Sequence, residues 1–169
     1  MTVKTILWDF DGVILDSMKI RDWGFKEIFK NFNKEDVKSL LKYHRENGGL
    51  SRYVKIRYFF EILLNQSIND KKIQNYADRF SVIMRKELAN PNNLIKDSFD
   101  LIINNYKKYN FHIVSGSDQE ELRFLCKKLN IEKYFKSIYG SPTDKSILIK
   151  NILKNNGDRL ENCCIIGDS

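Results

Sequence analysis

The sequence has few cysteines and no long apolar run. Only three of its 169 residues are cysteine, and Cys163 and Cys164 are adjacent, so neither a disulfide framework nor metal-ligand spacing is present. This usage is typical of a reducing compartment, and we expect a cytoplasmic protein. The amino terminus lacks the apolar run of a signal peptide, and no later segment is apolar enough to cross a bilayer. We therefore expect a soluble protein with no membrane partner.

The chain also lacks a block of like charges, an internal repeat and a low-complexity tract. Its formal charge of +7 comes from lysines spread along the whole chain, which is typical of solvated helix faces. The functional alternative is attraction of an anionic partner, either a phosphorylated metabolite or nucleic acid. The length allows one hydrophobic core with a sizeable insertion, but not two large domains.

Hydrophobic periodicity predicts an α/β fold. A buried strand at residues 6–8 is followed by four stretches with apolar residues at helical spacing, and these end at the turn-forming residues 89–93. After that turn, helices alternate with predicted strands at 111–114, 138–140 and 163–166. This alternation is typical of a parallel, Rossmann-like sheet.

The four helical stretches form one insertion into this sheet. We assign residues 1–16 and 92–169 to the α/β core and residues 17–91 to the insertion. Because the insertion follows the first strand immediately, it can lie over the end of that strand as a lid. Its apolar stripes indicate packing, and they predict no cofactor site.

Two carboxylates follow the first strand. Residues two apart on a strand point the same way, so Asp9 and Asp11 can converge at the carboxyl end of the sheet, where open α/β sheets bind ligands. Gly12 then permits a turn that a side chain would obstruct. The pair predicts either a site for a divalent metal or a solvated strand end, since adjacent carboxylates repel each other without a compensating cation.

Polar residues also follow the later strands. The second strand leads into Ser115-Gly116-Ser117, and Ser117 with Glu120 matches a capping box, so we expect these backbone N–H groups to open a helix and bind an anion. Lys145 lies in the first turn of a later helix, where a cation opposes the helix dipole unless an anion is nearby. Both signals have ordinary explanations: serines commonly cap helices, and Lys145 can be a solvated surface residue. The last strand ends at Asp168.

The order of these motifs resembles the haloacid dehalogenase superfamily, in its phosphatase and phosphomutase branch with a helical cap. D-F-D-G-V at 9–13 matches the first family motif, and S-G-S at 115–117 matches the second. Lys145 matches the third motif, and G-D-S at 167–169 begins the fourth. The resemblance covers essentially the whole chain.

By this resemblance Asp9 is the nucleophile that forms an aspartyl-phosphate, and Asp11 is the general acid and base. The resemblance implies Mg²⁺ as the cofactor, held by the Asp9 side chain, the Asp11 backbone carbonyl and Asp168. The residues that it implies for the phosphoryl group are Gly12, Ser115, Gly116 and Lys145.

The chain departs from the family pattern at two places. The fourth motif normally includes a second acidic residue beyond G-D-S, and the sequence ends at Ser169, so we expect the carboxyl-terminal part of the core to be missing. The sugar phosphomutases of this branch carry a histidine shortly after the first motif, where this chain has Arg21. This difference favours a phosphatase over a mutase.

A polar, glycine-containing loop at residues 44–52 resembles the substrate-specificity loop of related caps. Arg52 is the first candidate for contacting the substrate, with Lys55 one turn later; an exposed residue near a helix start is the alternative for Arg52. His44 and His112 are interpreted as packed histidines, and Cys126 lies on a helix stripe and is assigned to the core.

The leading hypothesis is thus a Mg²⁺-dependent phosphatase for a small phosphorylated metabolite, of the sugar or nucleotide phosphate class. The alternative enzymatic function is that of a phosphomutase of the same family. A non-catalytic basic binding protein on the same fold is the alternative of another class, but nucleic acid is not the expected partner because the motif positions keep reactive residue types. Oligomeric state is not readable from the sequence.

Overall fold

The computed structural model describes residues 2–157 and 159–167. Four parallel strands form the sheet in the order β3-β2-β1-β4. The strands are β1 (Thr5–Trp8), β2 (Asn110–Asp118), β3 (Ser137–Ser141) and β4 (Cys163–Ile166). The predicted α/β fold with a parallel, Rossmann-like sheet is confirmed.

Four helices lie between β1 and the rest of the α/β unit. They are α1 (Met18–Ile28), α2 (Lys34–Glu46), α3 (Arg52–Tyr58) and α4 (Asp70–Leu88), and α3 continues into a π-helical turn at Phe59–Leu63. Side chains cap three of them as the local sequence favours, because Asn33, Ser51 and Asn69 each accept a hydrogen bond from a backbone N–H of the first turn. We call α1 to α4 with their connections the helical insert.

Three further helices flank the sheet. They are α5 (Lys96–Asn105), α6 (Gln119–Lys128) and α7 (Lys145–Asn156), with short 3₁₀ turns at Pro91–Asn93, Glu132–Tyr134 and Leu160–Asn162. Asp144 caps α7, because its side chain accepts a hydrogen bond from the backbone N–H of Ser146. No helix in residues 2–157 or 159–167 is long and apolar enough to span a membrane.

Aromatic side chains fill the interior. Phe29 is fully buried in the helical insert, where its ring packs 4.2 Å from that of Phe59 and 5.0 Å from that of Tyr76, centroid to centroid. Trp8 and Phe111 make an edge-to-face contact at 5.5 Å in the sheet. Trp8, Phe111, Phe29 and Phe59 belong to one hydrophobic cluster, which extends from the sheet into the insert, and Tyr76 packs against it. The insert is therefore packed on the core rather than tethered to it.

The predicted start of α6 is wrong. Strand β2 continues through Asp118, and α6 begins only at Gln119, with Asp118 as its N-cap accepting from the backbone N–H of Glu121. Ser117 therefore does not form a capping box with Glu120, and S-G-S does not open a helix. The reason is that pairing with β3 resumes at Asp118 opposite Ser141, after an irregularity, which keeps this segment extended.

Candidate active site

The Asp9 carboxylate contacts Lys145 at the carboxyl end of β1. Lys145 Nζ lies 2.5 Å from Asp9 Oδ2, and the backbone N–H of Phe10 donates to Asp9 Oδ1 at 2.7 Å. Burial raises the pKa of Asp9, while the Lys145 cation and these hydrogen bonds oppose the rise. The side chain is 12% exposed. Asp9 is therefore neither a solvated strand end nor an unpaired charge, and Lys145 is not an ordinary surface lysine.

Three donors hold the second carboxylate, Asp11. Ser17 Oγ and Arg21 Nε each donate to Asp11 Oδ1 at 2.6 Å, and Ser117 Oγ donates to Asp11 Oδ2 at 2.5 Å. Burial alone raises the pKa of Asp11, but the Arg21 charge and the serine hydrogen bonds outweigh it, so this pKa lies below its usual value. Asp11 is held as an ionised acceptor whose donors come from both the core and the insert.

Two glycines shape the backbone around these carboxylates. Gly12 has a φ of 75°, which a side chain would strain. Gly116 lies against the loop that joins α2 and α3, where a Cβ on Gly116 would stand 2.3 Å from the carbonyl oxygen of Gly49. This contact closes the insert over the end of the sheet. The expected hydroxyl, Ser115, is buried beside Gly116 and accepts from the backbone N–H of Ser117 at 3.0 Å.

The insert places two basic side chains at the same interface. Arg52 is buried; its Nη1 donates to Ser81 at 2.7 Å and lies 2.7 Å from Glu121 Oε2 of α6. Lys55 is also buried and donates to His44 Nδ1 at 2.9 Å. Burial and the Arg21 charge lower the pKa of Lys55 to about 8. Arg52 is therefore not the exposed residue near a helix start that was the alternative interpretation of its sequence.

Most of the proposed site residues line one cavity of about 120 Å³ between the sheet and the insert. They are Asp9, Asp11, Ser115, Gly116 and Lys145. Arg52 and Lys55 instead line an adjacent gap of about 30 Å³, which also borders Asp11. A larger cleft of about 640 Å³ lies elsewhere, between α1 and α2, and its lining contains none of these residues. The two smaller cavities are the candidate site, because the titratable groups converge there.

A family model for haloacid dehalogenase-like hydrolases matches residues 6–169. The chain belongs to this family. Comparison with curated proteins returned no match.

Solved structures share the fold of this hydrolase at low sequence identity. The β-phosphoglucomutase from Clostridium difficile is 15% identical with a TM-score of 0.76, over 99% of this chain and 77% of that one. CbbY from Rhodobacter sphaeroides, in complex with phosphate, is 18% identical with a TM-score of 0.71, over 99% and 79%. YfnB from Bacillus subtilis, bound to magnesium, is 19% identical with a TM-score of 0.69, over 100% and 81%.

The oxygen atoms at the end of β1 are of the type that a hard divalent cation prefers as ligands. Asp9 presents a carboxylate to the 120 Å³ cavity, and the Asp11 backbone carbonyl lies two residues later. Mg²⁺ is usually held by one or two carboxylates, with water and substrate phosphate completing its oxygen shell. Asp168, the third expected ligand, lies outside the described residues. Within the described ranges no group of three or more His, Cys, Asp or Glu side chains could hold a metal, so a cation here depends on ligands beyond this pair.

The sequence motifs do not predict several contacts of this site. Sequence reasoning noted Arg21 only as a departure from the family, whereas its guanidinium joins Asp11 to Glu121. Glu121 is fully buried and was not a candidate. A signal for it exists in the sequence, because Glu121 is four residues before Leu125 and so lies on the buried face of α6.

Proposed function

We propose that this hydrolase is a Mg²⁺-dependent phosphatase acting on a small phosphorylated metabolite. The observation that carries the proposal is the convergence of Asp9, Asp11 and Lys145 on one cavity, at the carboxyl end of the sheet and beneath the helical insert. Phosphoryl transfer through an acyl-phosphate requires a carboxylate as nucleophile, a second carboxylate for proton transfer and a cation near the phosphate.

In the first step an oxygen of the Asp9 carboxylate attacks phosphorus, and the bond from phosphorus to the ester oxygen breaks. Asp11 must first take up a proton, because its donors favour the ionised form; it then gives this proton to the leaving oxygen, which departs as an alcohol. The product on the protein is an aspartyl-phosphate. A carboxylate suits this role since it needs no base to activate it.

In the second step water attacks phosphorus, and the bond from phosphorus to the Asp9 oxygen breaks. Asp11, now ionised, accepts the proton of the water, so inorganic phosphate leaves and Asp9 is regenerated. The hydrogen bonds from Ser17, Arg21 and Ser117 favour this ionised state of Asp11. The geometry therefore supports the base role of Asp11 most directly.

The phosphoryl oxygens are bound by the Lys145 ammonium, the Ser115 hydroxyl, and the backbone at Gly12 and Gly116. Ser115, Gly116 and Lys145 line the 120 Å³ cavity, and polar groups that the fold holds in position stabilise developing charge without reorganising. A bound Mg²⁺, for which we propose Asp9, the Asp11 carbonyl and Asp168 as ligands, supplies charge neutralisation between the nucleophile and the anionic phosphate.

The helical insert acts as the cap in this proposal, with residues 17–91 as its extent and 1–16 and 92–169 as the core. Arg52 and Lys55 lie at the gap next to Asp11, on the side where the leaving group would bind. We propose a sugar or nucleotide phosphate as the substrate class and the cytoplasm as the location. The solved relatives include proteins described with phosphate and with magnesium, which supports phosphate chemistry for the fold.

The test is hydrolysis of an aryl phosphate with Mg²⁺ by the wild type and by Asp9→Asn, which keeps the shape of the side chain but removes its charge. We expect the variant to lose activity, and chelation of Mg²⁺ to abolish activity in the wild type. Asp78→Asn, on the exposed face of α4, is the matched control. Equal activity of Asp9→Asn and wild type would refute the mechanism, and transfer of phosphate to a second sugar hydroxyl instead of water would identify a mutase.

A further inference from the structure

Two short segments place lysines and aromatic rings together at the amino end of the sheet. Residues 106–110 read Tyr-Lys-Lys-Tyr-Asn and run into the first residue of β2, and residues 133–136 read Lys-Tyr-Phe-Lys and lead directly into β3. The fold brings the two segments together, since both line a cavity of about 320 Å³. We call the surface formed by residues 106–110 and 133–136 the basic-aromatic surface.

Four exposed lysines of this surface have no acidic partner. They are Lys107, Lys108, Lys133 and Lys136. Within the described ranges none of them forms an ion pair with a carboxylate, and no Asp or Glu is among the described residues that line the cavity. The exposed Lys30 of the helical insert, by contrast, is paired with Glu27. A cleft lined by charges of one sign concentrates counter-ions, so this surface attracts a ligand with several negative charges.

Lysines of this surface also lie over its tyrosine rings. Lys108 Nζ is 5.1 Å from the ring centroid of Tyr109, and Lys133 Nζ is 5.2 Å from that of Tyr134. A cation is held only weakly over an exposed ring, so each lysine can leave its ring for a phosphate while a base stacks on the ring. Every nucleobase has a face that stacks on an aromatic side chain. An ammonium group beside a ring therefore suits one nucleotide.

A second cavity continues the surface along β3, the edge strand of the sheet. It measures about 370 Å³, shares Phe135 and Lys136 with the first cavity, and adds Arg123 and Tyr139. Glu132 is the one carboxylate among its described lining residues. Each cavity thus offers aromatic rings and cations. Two adjoining cavities of the same chemistry suit a ligand that repeats phosphate and base, which favours a strand over a single nucleotide.

We propose that the basic-aromatic surface binds single-stranded nucleic acid, with its lysines on the phosphates and its rings against the bases. Backbone phosphates and stacking are independent of base identity, so we expect little sequence preference. A duplex keeps its bases stacked on each other and therefore gains nothing from the rings.

The basic-aromatic surface is separate from the candidate active site. Strand β2 begins at Asn110, beside this surface, and Ser115 and Gly116 of the active-site cavity lie towards its other end. The sequence motifs do not point to nucleic acid, and the surface contains none of them. Nucleic-acid binding here is a function in addition to the hydrolase reaction, and it does not rest on the proposed phosphatase function.

The test is fluorescence anisotropy with a labelled uridine oligonucleotide of about 12 nucleotides, a length within the range of single-strand sites. The strand carries no terminal phosphate and the buffer no Mg²⁺, so the active site has no monoester to bind. We expect saturable binding that weakens as salt is raised. Lys133→Ala with Lys136→Ala should weaken binding by about tenfold near ~0.1 M salt and lower the slope of log K against log salt by about 1.4, since each phosphate contact contributes about 0.7.

Lys34→Ala with Lys38→Ala is the matched control, because it removes the same charge from exposed positions of α2 in the helical insert. We expect it to leave both the affinity and the salt slope essentially unchanged. Both lysine pairs are exposed, so the variants should fold, and both should hydrolyse an aryl phosphate as the wild type does.

A second comparison tests the rings. Phe135→Leu keeps an apolar side chain but removes the flat face that a base requires. We expect this variant to bind the single strand at least about fivefold less tightly, which is the lower end of the range for loss of one stacked base. Its affinity for a duplex of the same length should equal that of the wild type.

Three results would overturn the proposal: absence of saturable binding by the wild type near ~0.1 M salt, equal losses in the two lysine pairs, or an equal loss for single strand and duplex in Phe135→Leu. Uridine monophosphate bound as tightly as the oligonucleotide would also overturn it, by identifying a nucleotide site instead. All of these measurements are independent of hydrolysis, so a failed phosphatase assay would leave the result unaffected.

Discussion

Lys145 Nζ lies 2.5 Å from Asp9 Oδ2, although the two residues are 136 positions apart in the sequence. Lys145 is the first residue of α7, where the helix dipole disfavours a cation. The Asp9 carboxylate compensates for that local cost, and the lysine in turn opposes the rise in the pKa of Asp9 that burial causes. The contact with Lys145 thus favours the ionised form of the proposed nucleophile against the effect of burial.

Lys145→Met should reduce phosphatase activity strongly while preserving the fold. The variant keeps an unbranched side chain of similar length but removes the cation, and loss of one preorganised electrostatic group typically lowers kcat by about 10²–10³-fold. The measurement is steady-state hydrolysis of an aryl phosphate with saturating Mg²⁺. Lys150→Met, at an exposed position on the same helix, is the control, and an equal loss in both variants would argue against a specific role for Lys145.

Arg21→Gln should destabilise the protein by about 3–5 kcal/mol, because it leaves two buried carboxylates, Asp11 and Glu121, without their shared cation. Urea unfolding at neutral pH measures this change. Arg57→Gln is the matched control, since Arg57 pairs with Glu61 and Asp70 on the exposed surface and its loss should leave the unfolding midpoint essentially unchanged. A small effect of Arg21→Gln would show that the buried ion pairs contribute little.

Gly116→Ala should impair activity by displacing the insert from the sheet. The added Cβ would stand 2.3 Å from the Gly49 carbonyl oxygen, so the loop between α2 and α3 must move. A displacement of about 1 Å near reacting groups can cost about 10²-fold in rate. Gly48→Ala is the control, because a Cβ there meets no atom within 4 Å. We expect kcat/KM to fall only in Gly116→Ala. Wild-type kinetics for Gly116→Ala would show that activity does not depend on the close contact between Gly116 and Gly49.

The free energy of unfolding should fall in mild acid because of His44. Burial and the Lys55 charge lower the pKa of His44 from 6.5 to about 4, so the unfolded chain binds a proton in this range while the folded protein does not. The contribution of neutral His44 to the free energy of unfolding is complete above about pH 6.5 and is lost as the pH falls towards 4. The loss amounts to about 3 kcal/mol. The groups that face the ring and set this shift are Lys55, Asp22, Arg21 and Asp11.

Urea unfolding of the wild type and His44→Asn between pH 4 and 7 measures this contribution. Asparagine can still accept from Lys55 but does not titrate, so the variant should lose less stability than the wild type across this range. Parallel pH profiles for the two proteins would show that other groups cause the acid sensitivity.

Much of the fold followed from local patterns. Alternation of apolar strands with amphipathic helices predicted the parallel sheet and the helical insertion, since hydrophobic period is a property of short segments. Asn33 and Asp144 cap α2 and α7 in the structure, as the local preference of Asn and Asp for N-cap positions favours. The start of α6 was predicted wrongly, because pairing of β2 with β3 extends the strand to Asp118 and overrides the local capping signal of Ser117.

Residue type and spacing are sufficient to predict the family, the order of strands and helices along the chain, and the carboxylates, hydroxyl and lysine of the candidate site. The tertiary structure alone decided which charges pair. Asp9 and Lys145 meet within the α/β core, whereas Glu121 meets Arg21 and Arg52 where the insert packs on α6. Contacts between residues distant in the chain depend on that packing, and no local pattern encodes them.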